Sequence, residues 1–404
     1  MLHTFRLRTF PEFEFLVGKH TRIMGQDSAC WRKRQAASSD DAAADDSGAA
    51  NRSPEKRQKT DAASEREQHG ILVGVIGGLG PKASSQFYDE YIIHGRQLLF
   101  EAMSGADKDP HAALERVKRV SCSDWTLSEV RAVSAQSAGR TALIDQDHIP
   151  IMIYGNTQVP GRPAYILGKS DKDPTPQLAH TANSLVKGGA NLLCMTCNTA
   201  HYFLPGIMRS LENGCDAKDM PRFLNMLLLT IRSIVRDSGK SNGTLKVGLL
   251  ATRATIETGI YQNAAASAVE DDSVSLAVDI ITPLSIAGTH GGQQESVEKA
   301  IFGDKGLKAG YTNVDIPEMR PFTQANVDLL MDQIALLKEA GADAVILGCT
   351  ELPLVLSSDG EVLAGRTTGE DRARAARTTK LVNPSKVLAD EVLRAALTSR
   401  NRHS

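Results

Sequence analysis

GANLLCMTCNTAHY (residues 189–202) runs from a glycine through an apolar stretch into a polar turn, with Cys194 and Cys197 three positions apart. The apolar part reads as a buried strand of a parallel sheet, and PQLAHTANSLVK (176–187) ahead of it, stopped by Gly188 and Gly189, reads as the helix feeding it. Cys194 falls inside the strand and reads as a small packing hydrophobe. Cys197 stands where strand gives way to turn, and ligands of open α/β sheets bind beyond the carboxyl ends of strands. A zinc site here would need two further ligands at suitable spacing, and no second Cys-x-x-Cys exists, so no metal is expected. A thioredoxin-like pair would follow the strand rather than begin within it.

A second stretch repeats the pattern. GADAVILGCT (341–350) places Cys349 eight residues after Gly341, as Cys197 follows Gly189 by eight. Each lies downstream of a Val-Gly strand, Val73–Ile76 in ILVGVIGGLGP (71–81) and Val247–Leu250 in LKVGLLAT (245–252). Any two helix–glycine–strand units look somewhat alike; the cysteine at a matched offset is what argues for duplication. Strands at PIMIYGN (150–156) and DAVILGC, and helices at SSQFYDEYIIHG and VDLLMDQIALLKEAGA, complete an alternation typical of parallel α/β sheets. The expected fold is two pseudo-symmetric parallel-sheet α/β domains with the active site in the cleft between them. The first covers 71–235, with a polar insertion of unassigned role at about 101–140 containing Cys122 and Trp125, and is completed by 357–404; the second covers 236–356. NPSKVLADEVLRAALTS near the C-terminus reads as a Ser-capped amphipathic helix.

The chain's 404 residues are 41% hydrophobic and 23% charged, enough for a large buried core. A net charge of −2 gives no global basic field, so nucleic acid is not an expected partner. The longest apolar run, FLNMLLLTI (223–231), is far too short to span a bilayer, so no membrane is expected either. Six cysteines in so long a chain are not a disulfide framework, and a reducing compartment is the default. Residues 1–70 hold little to bury and read as a disordered or targeting extension; a cytoplasmic location is expected, with an organelle the alternative if the Arg-containing start is a transit peptide, against which Glu12 and Glu14 count.

Thiols at Cys197 and Cys349 would face the free backbone N–H groups of the turns that follow them, which favours thiolate. Two such thiols from symmetric halves suit one reaction: one removes a proton from a carbon while the other delivers a proton to the opposite face, inverting that carbon.

GVIGGLGP, DQDHIPIMIYGNTQVPGRP, MTCNTAHY, GLLATRATIETGIYQ, LKAG and GCTELPLV, in this order, resemble the aspartate/glutamate racemase family and its aspartate racemase branch. The resemblance implies that Cys197 and Cys349 form the acid/base pair and that no pyridoxal phosphate or other cofactor is used. It implies a small acidic amino acid as substrate, L- and D-aspartate being interconverted, lined by Gly78, Leu79, Gly80, Pro81, Asn156, Asn198, Thr199, Ala200, Thr350 and Glu351. Arg162 and Lys308, with Lys305 a neighbouring alternative, would take the side-chain carboxylate. Gly161 and Pro163 stand beside Arg162 where the family pattern has Asp and Thr, which loosens the link to an acidic substrate. The Gly-rich turn lacks the spacing of a dinucleotide or phosphate loop. His201 is not assigned catalysis. Members of the family are often homodimers. The alternatives are another cysteine-dependent isomerase or decarboxylase of the same superfamily, or a catalytically silent amino-acid-binding protein.

Overall fold

Among the described residues, eight short strands form two parallel sheets: β1 (Val73–Gly77), β2 (Ile151–Gly155), β3 (Leu192–Met195) and β4 (Arg222–Leu224) in one, β5 (Asn242–Leu250), β6 (Ser275–Ile281), β7 (Ala344–Leu347) and β8 (Lys380–Val382) in the other. This is a computed structural model, and it describes residues 71–106, 111, 148–270, 275–286, 292–304, 306–308 and 324–400. The N-terminal 70 residues, Cys122, Trp125 and Lys305 lie outside the described residues, as does nearly all of the expected insertion. Its first residues are described, and they continue the helix Pro81–Ala106 rather than break from it.

The strand orders are β2-β1-β3-β4 and β6-β5-β7-β8, so each sheet repeats the topology of the other. β1 and β5 occupy matching places, as do β3 and β7, the strands that end just before the cysteines. β3 pairs with β1 from Val73↔Leu192 to Ile76↔Met195, and β7 pairs with β5 from Val247↔Ala344 to Leu250↔Leu347. All four residues of β3 and of β7 are buried, which explains why both read as unbroken apolar runs rather than as alternating ones. The turns entering them match as well. Gly189 and Gly341 have φ of 99° and 92°, a region open to glycine and strained for other residues.

One continuous apolar cluster joins the sheets, running from Val73, Val75 and Cys194 to Val247, Leu249 and Ile346. The C-terminal helix Pro384–Arg400 contributes Val387, Leu388 and Val392 to it and packs on the helices Pro81–Ala106 and Met226–Ser238. Cys194 is fully buried in this cluster, in keeping with a packing role. Two further clusters cover the outer faces.

Two expectations need correction. β8 lies within 357–404 yet extends the second sheet by pairing with β7, so this segment completes both halves: its strand serves one sheet and its helix packs across the other. That helix is capped by Asn383, whose Oδ1 accepts from the backbone N–H of Ser385 at 3.0 Å, and not by a serine. Among the described residues no helix is long and apolar enough to cross a membrane.

Candidate active site

Cys197 follows the last residue of β3 by two positions, and Cys349 follows the last residue of β7 by two. Both thiols line one cleft of about 450 Å³. Leu79, Gly80, Pro81, Arg162, Asn198, Thr199, Lys308, Thr350 and Glu351 line it with them.

Three expected residues do not line it. The backbone N–H of Gly78 is held by Ser84 Oγ at 2.8 Å, and both groups are buried. Asn156 is buried, donates to Thr181 Oγ1 at 2.9 Å and accepts from the N–H of Gln158 at 3.1 Å. Ala200 has no exposed surface. Gly161 and Pro163, noted above as departures from the family pattern, also line the cleft, as do Lys82, Thr252, Phe302 and Gly348, which were not singled out. The neighbours of Arg162 and Cys349 could have been read from their motifs. Lys82 directly follows the GGLGP turn, and nothing in the sequence pointed to Phe302.

The electrostatics centre on Glu351. Its Oε2 accepts from the Cys349 thiol at 3.1 Å and from the Thr350 hydroxyl at 3.3 Å, while Oε1 accepts from the Lys308 ammonium. Burial, the largest influence on Glu351, would favour its neutral form, but the charge and hydrogen bond of Lys308 and the thiol's donation outweigh it, holding the carboxyl below its usual range. Lys308 mirrors this. Burial, again the largest influence, favours the free amine; Cys349, whenever it is ionised, and the charge and hydrogen bond of Glu351 override it and raise its pKa. The Lys308 ammonium also sits 5.9 Å from the centre of the Phe302 ring.

Cys349 goes the other way from the expected thiolate. Burial, reinforced by the neighbouring Glu351 charge and only partly offset by Lys308, pushes its pKa well above the ordinary thiol value. The turn behind it is a 3-10 helix of three residues, Leu352–Leu354, too short to supply a compensating dipole. Cys349 is therefore held as a thiol that donates its proton to a carboxylate.

Cys197 opens a five-residue 3-10 turn, Thr199–Phe203. Its carbonyl meets His201 Nδ1 at 2.8 Å, and burial lowers the His201 pKa to about 4, so the ring is neutral and that nitrogen is the N–H donor. The Asn198 side chain accepts from the Tyr261 hydroxyl at 2.6 Å. Thr199 Oγ1 meets Thr255 Oγ1 at 2.7 Å, and Thr255 meets Thr252 at 3.1 Å, so a chain of buried hydroxyls ties the Cys197 turn to the end of β5. The two sheets are thus coupled beside the cleft.

Arg162 reaches the cleft wall, but its terminal nitrogens donate to the carbonyl oxygens of Leu79 and, at 3.4 Å, Pro160. It stitches the Gly-rich turn to its own loop. Among the described residues no cluster of His, Cys, Asp and Glu could hold a metal ion.

Fold and cleft define a two-sheet parallel α/β protein with a strand-end thiol from each half. Residues 126–304 match the model of the Asp/Glu/hydantoin racemase family, bearing out the resemblance carried by the motifs. The match includes Cys197 and stops short of Lys308 and Cys349. The family is one of racemases, a class of isomerases. Among curated relatives, a glutamate racemase of Parafrankia sp. (strain EAN1pec) is 25% identical over 60% of this chain and 68% of its own length. A glutamate racemase of Mycobacterium leprae (strain TN) is 26% identical over 54% and 60% respectively. Among solved structures, Picrophilus torridus aspartate racemase is 22% identical, with 82% of this chain and 94% of that one covered at a TM-score of 0.43. A structure described as a putative Asp/Glu racemase from Yersinia pestis is 17% identical, with 81% and 99% covered at a TM-score of 0.48.

Proposed function

We propose that the protein interconverts L- and D-aspartate, or a close acidic amino acid, by proton transfer at the α-carbon without a cofactor. The observation that carries this reading is the pair of thiols, each two residues past the end of an equivalent strand, lining one cleft. The step balances without a redox partner. Cys197, as thiolate, takes the α-proton, so the Cα–H bond breaks and an S–H bond forms. Cys349 then gives up its thiol proton to the opposite face of the carbanion, leaving a thiolate for the reverse direction. Asymmetry between the two thiols is required, because two thiols or two thiolates could not both give and take. Cys349, keeping its proton and donating it in a hydrogen bond to the Glu351 carboxylate, supplies that asymmetry, with Glu351 a positioning residue rather than a clamp on the substrate. The developing charge on the substrate's α-carboxylate is met by backbone N–H groups of the turns at Asn198–Thr199 and Thr350–Glu351.

A screen of acidic and neutral amino acids by chiral chromatography tests this. Racemisation of aspartate or glutamate is expected in the wild type and to be lowered by about 10²- to 10⁴-fold in Cys197→Ser and in Cys349→Ser. Turnover confined to neutral substrates, or close to the wild-type rate in either variant, counts against it.

A further inference from the structure

The turn that carries Cys197 belongs to the first half of the chain, yet side chains of the second half hold it. Asn198 stands at the N-cap of the 3-10 turn Thr199–Phe203, where an asparagine oxygen ordinarily accepts from the turn's own backbone N–H groups. It makes no such bond here, and its backbone is helical (φ −58°, ψ −58°) rather than extended. Its Oδ1 accepts instead from the hydroxyl of Tyr261, in the helix Ile260–Glu270, at 2.6 Å. Tyr261 has no exposed surface, and burial raises its pKa well above the ordinary value, so the phenol keeps its proton and is the donor. Of the two ends of an amide only the oxygen accepts, so Tyr261 fixes which way the Asn198 amide faces. The amide nitrogen is left buried, with no hydrogen-bond partner among the described residues. One residue further on, Thr255, in the helix Arg253–Glu257, meets the Thr199 hydroxyl at 2.7 Å. The two residues after the thiol are thus fastened to the other half, and the local cap is given up. A buried donor left unpaired costs stability, so this arrangement favours the placement of the turn over its own hydrogen bonding.

Resting on the two-thiol reaction proposed above, we infer that Tyr261, acting through Asn198, is a positioning residue for Cys197. It sets where the thiol of the first half stands relative to Cys349 across the cleft, and Thr255 does the same through Thr199. Neither Tyr261 nor Thr255 lines the cleft. Proton transfer demands that donor and acceptor atoms stand within hydrogen-bond reach, so a displaced thiol slows its own step. The step at Cys349, whose thiol is held by Glu351, is left as it was.

Two measurements on the full chain test this: isotope effects on racemisation of α-deuterated L- and D-aspartate, and alkylation of each thiol by iodoacetamide, resolved by peptide mass spectrometry. Tyr261→Phe should lower kcat/KM by about three- to tenfold, the worth of one hydrogen bond. The isotope effect should rise for the enantiomer that Cys197 deprotonates and fall for the other, because the Cys197 step alone has become slower. The ratio of the two alkylation rates should change by about threefold or more, on the same ground. Thr255→Val should shift both readouts in the same direction and serves as the second variant should the phenylalanine prevent folding. In an Asn198→Ala background Tyr261→Phe should add nothing, since its hydroxyl acts through that amide. Isotope effects and an alkylation ratio that stay at wild-type values would restrict Tyr261 to a structural part and overturn the inference. A full additional loss in the Asn198→Ala background would overturn it too. An altered alkylation ratio in a protein that racemises no amino acid would sink the proposed reaction and leave this inference standing. Racemisation with both readouts untouched by Tyr261→Phe would do the reverse.

Discussion

At the scale of single residues, the proposed chemistry rests on four side chains that line one cleft: Cys197, Cys349, Glu351 and Lys308. Replacing either cysteine by serine should lower kcat/KM by about 10²- to 10⁴-fold, the usual worth of a positioned acid or base. The loss must be equal for both enantiomers, since racemisation has an equilibrium constant of one. Glu351→Gln makes a separate prediction about pH. Burial and the Glu351 charge both raise the Cys349 pKa, and Lys308 opposes them. Removing the carboxylate leaves burial against an unpaired ammonium, so the pKa falls and the acid loses its proton sooner. The alkaline fall-off of kcat/KM should therefore move to lower pH. An unchanged alkaline limb with merely reduced activity would restrict Glu351 to a structural part. The matched cysteines were legible because eight residues from a glycine is a spacing that sequence displays. The Glu351 pairing was not, because it depends on Lys308 arriving from a loop 43 positions away.

At the scale of elements, short-range signals fared best. β3 and β7 could be read from apolar runs between glycines, and the turn glycines carry φ values that explain the sequence directly. Gly341→Ala should cost about 1–3 kcal/mol in chemical denaturation, and Gly189→Ala the same, since alanine would occupy a left-handed conformation. Asn383→Ala should cost about 1 kcal/mol through loss of the helix cap. β8 escaped because three residues, Lys380–Val382, give no period to recognise; only pairing with β7 makes them a strand. Gly78, Asn156 and Ala200 belong to the right motifs but do not line the cleft, and motif membership does not say which way a residue points.

At the scale of the whole molecule, duplication is the organising fact: two sheets of like strand order share one apolar cluster, closed by the C-terminal helix. Both thiols stand at the ends of inner strands, so the same packing that stabilises the fold aims them. His201, which holds the Cys197 carbonyl, bears on stability. Its folded pKa is about 4, against an ordinary value of 6.5. Between these values the unfolded chain takes up a proton that the folded one refuses, so stability should fall as pH drops through this window, by about 3 kcal/mol at most. His201→Asn, which keeps a donor toward the Cys197 carbonyl, should flatten that dependence in urea titrations at pH 4.5 to 7. A slope unchanged by the substitution would show that His201 is protonated in the folded state.

Two thiols serving a single carbon from opposite sides leave an isotopic signature. Aspartate incubated with the wild-type protein in heavy water, followed by proton NMR with resolution of the enantiomers, reads it at early times. The inverted product should carry one solvent deuterium at the α-carbon while recovered substrate carries almost none. Deuterium accumulating in recovered substrate without inverted product, or no exchange with any acidic amino acid, would contradict it.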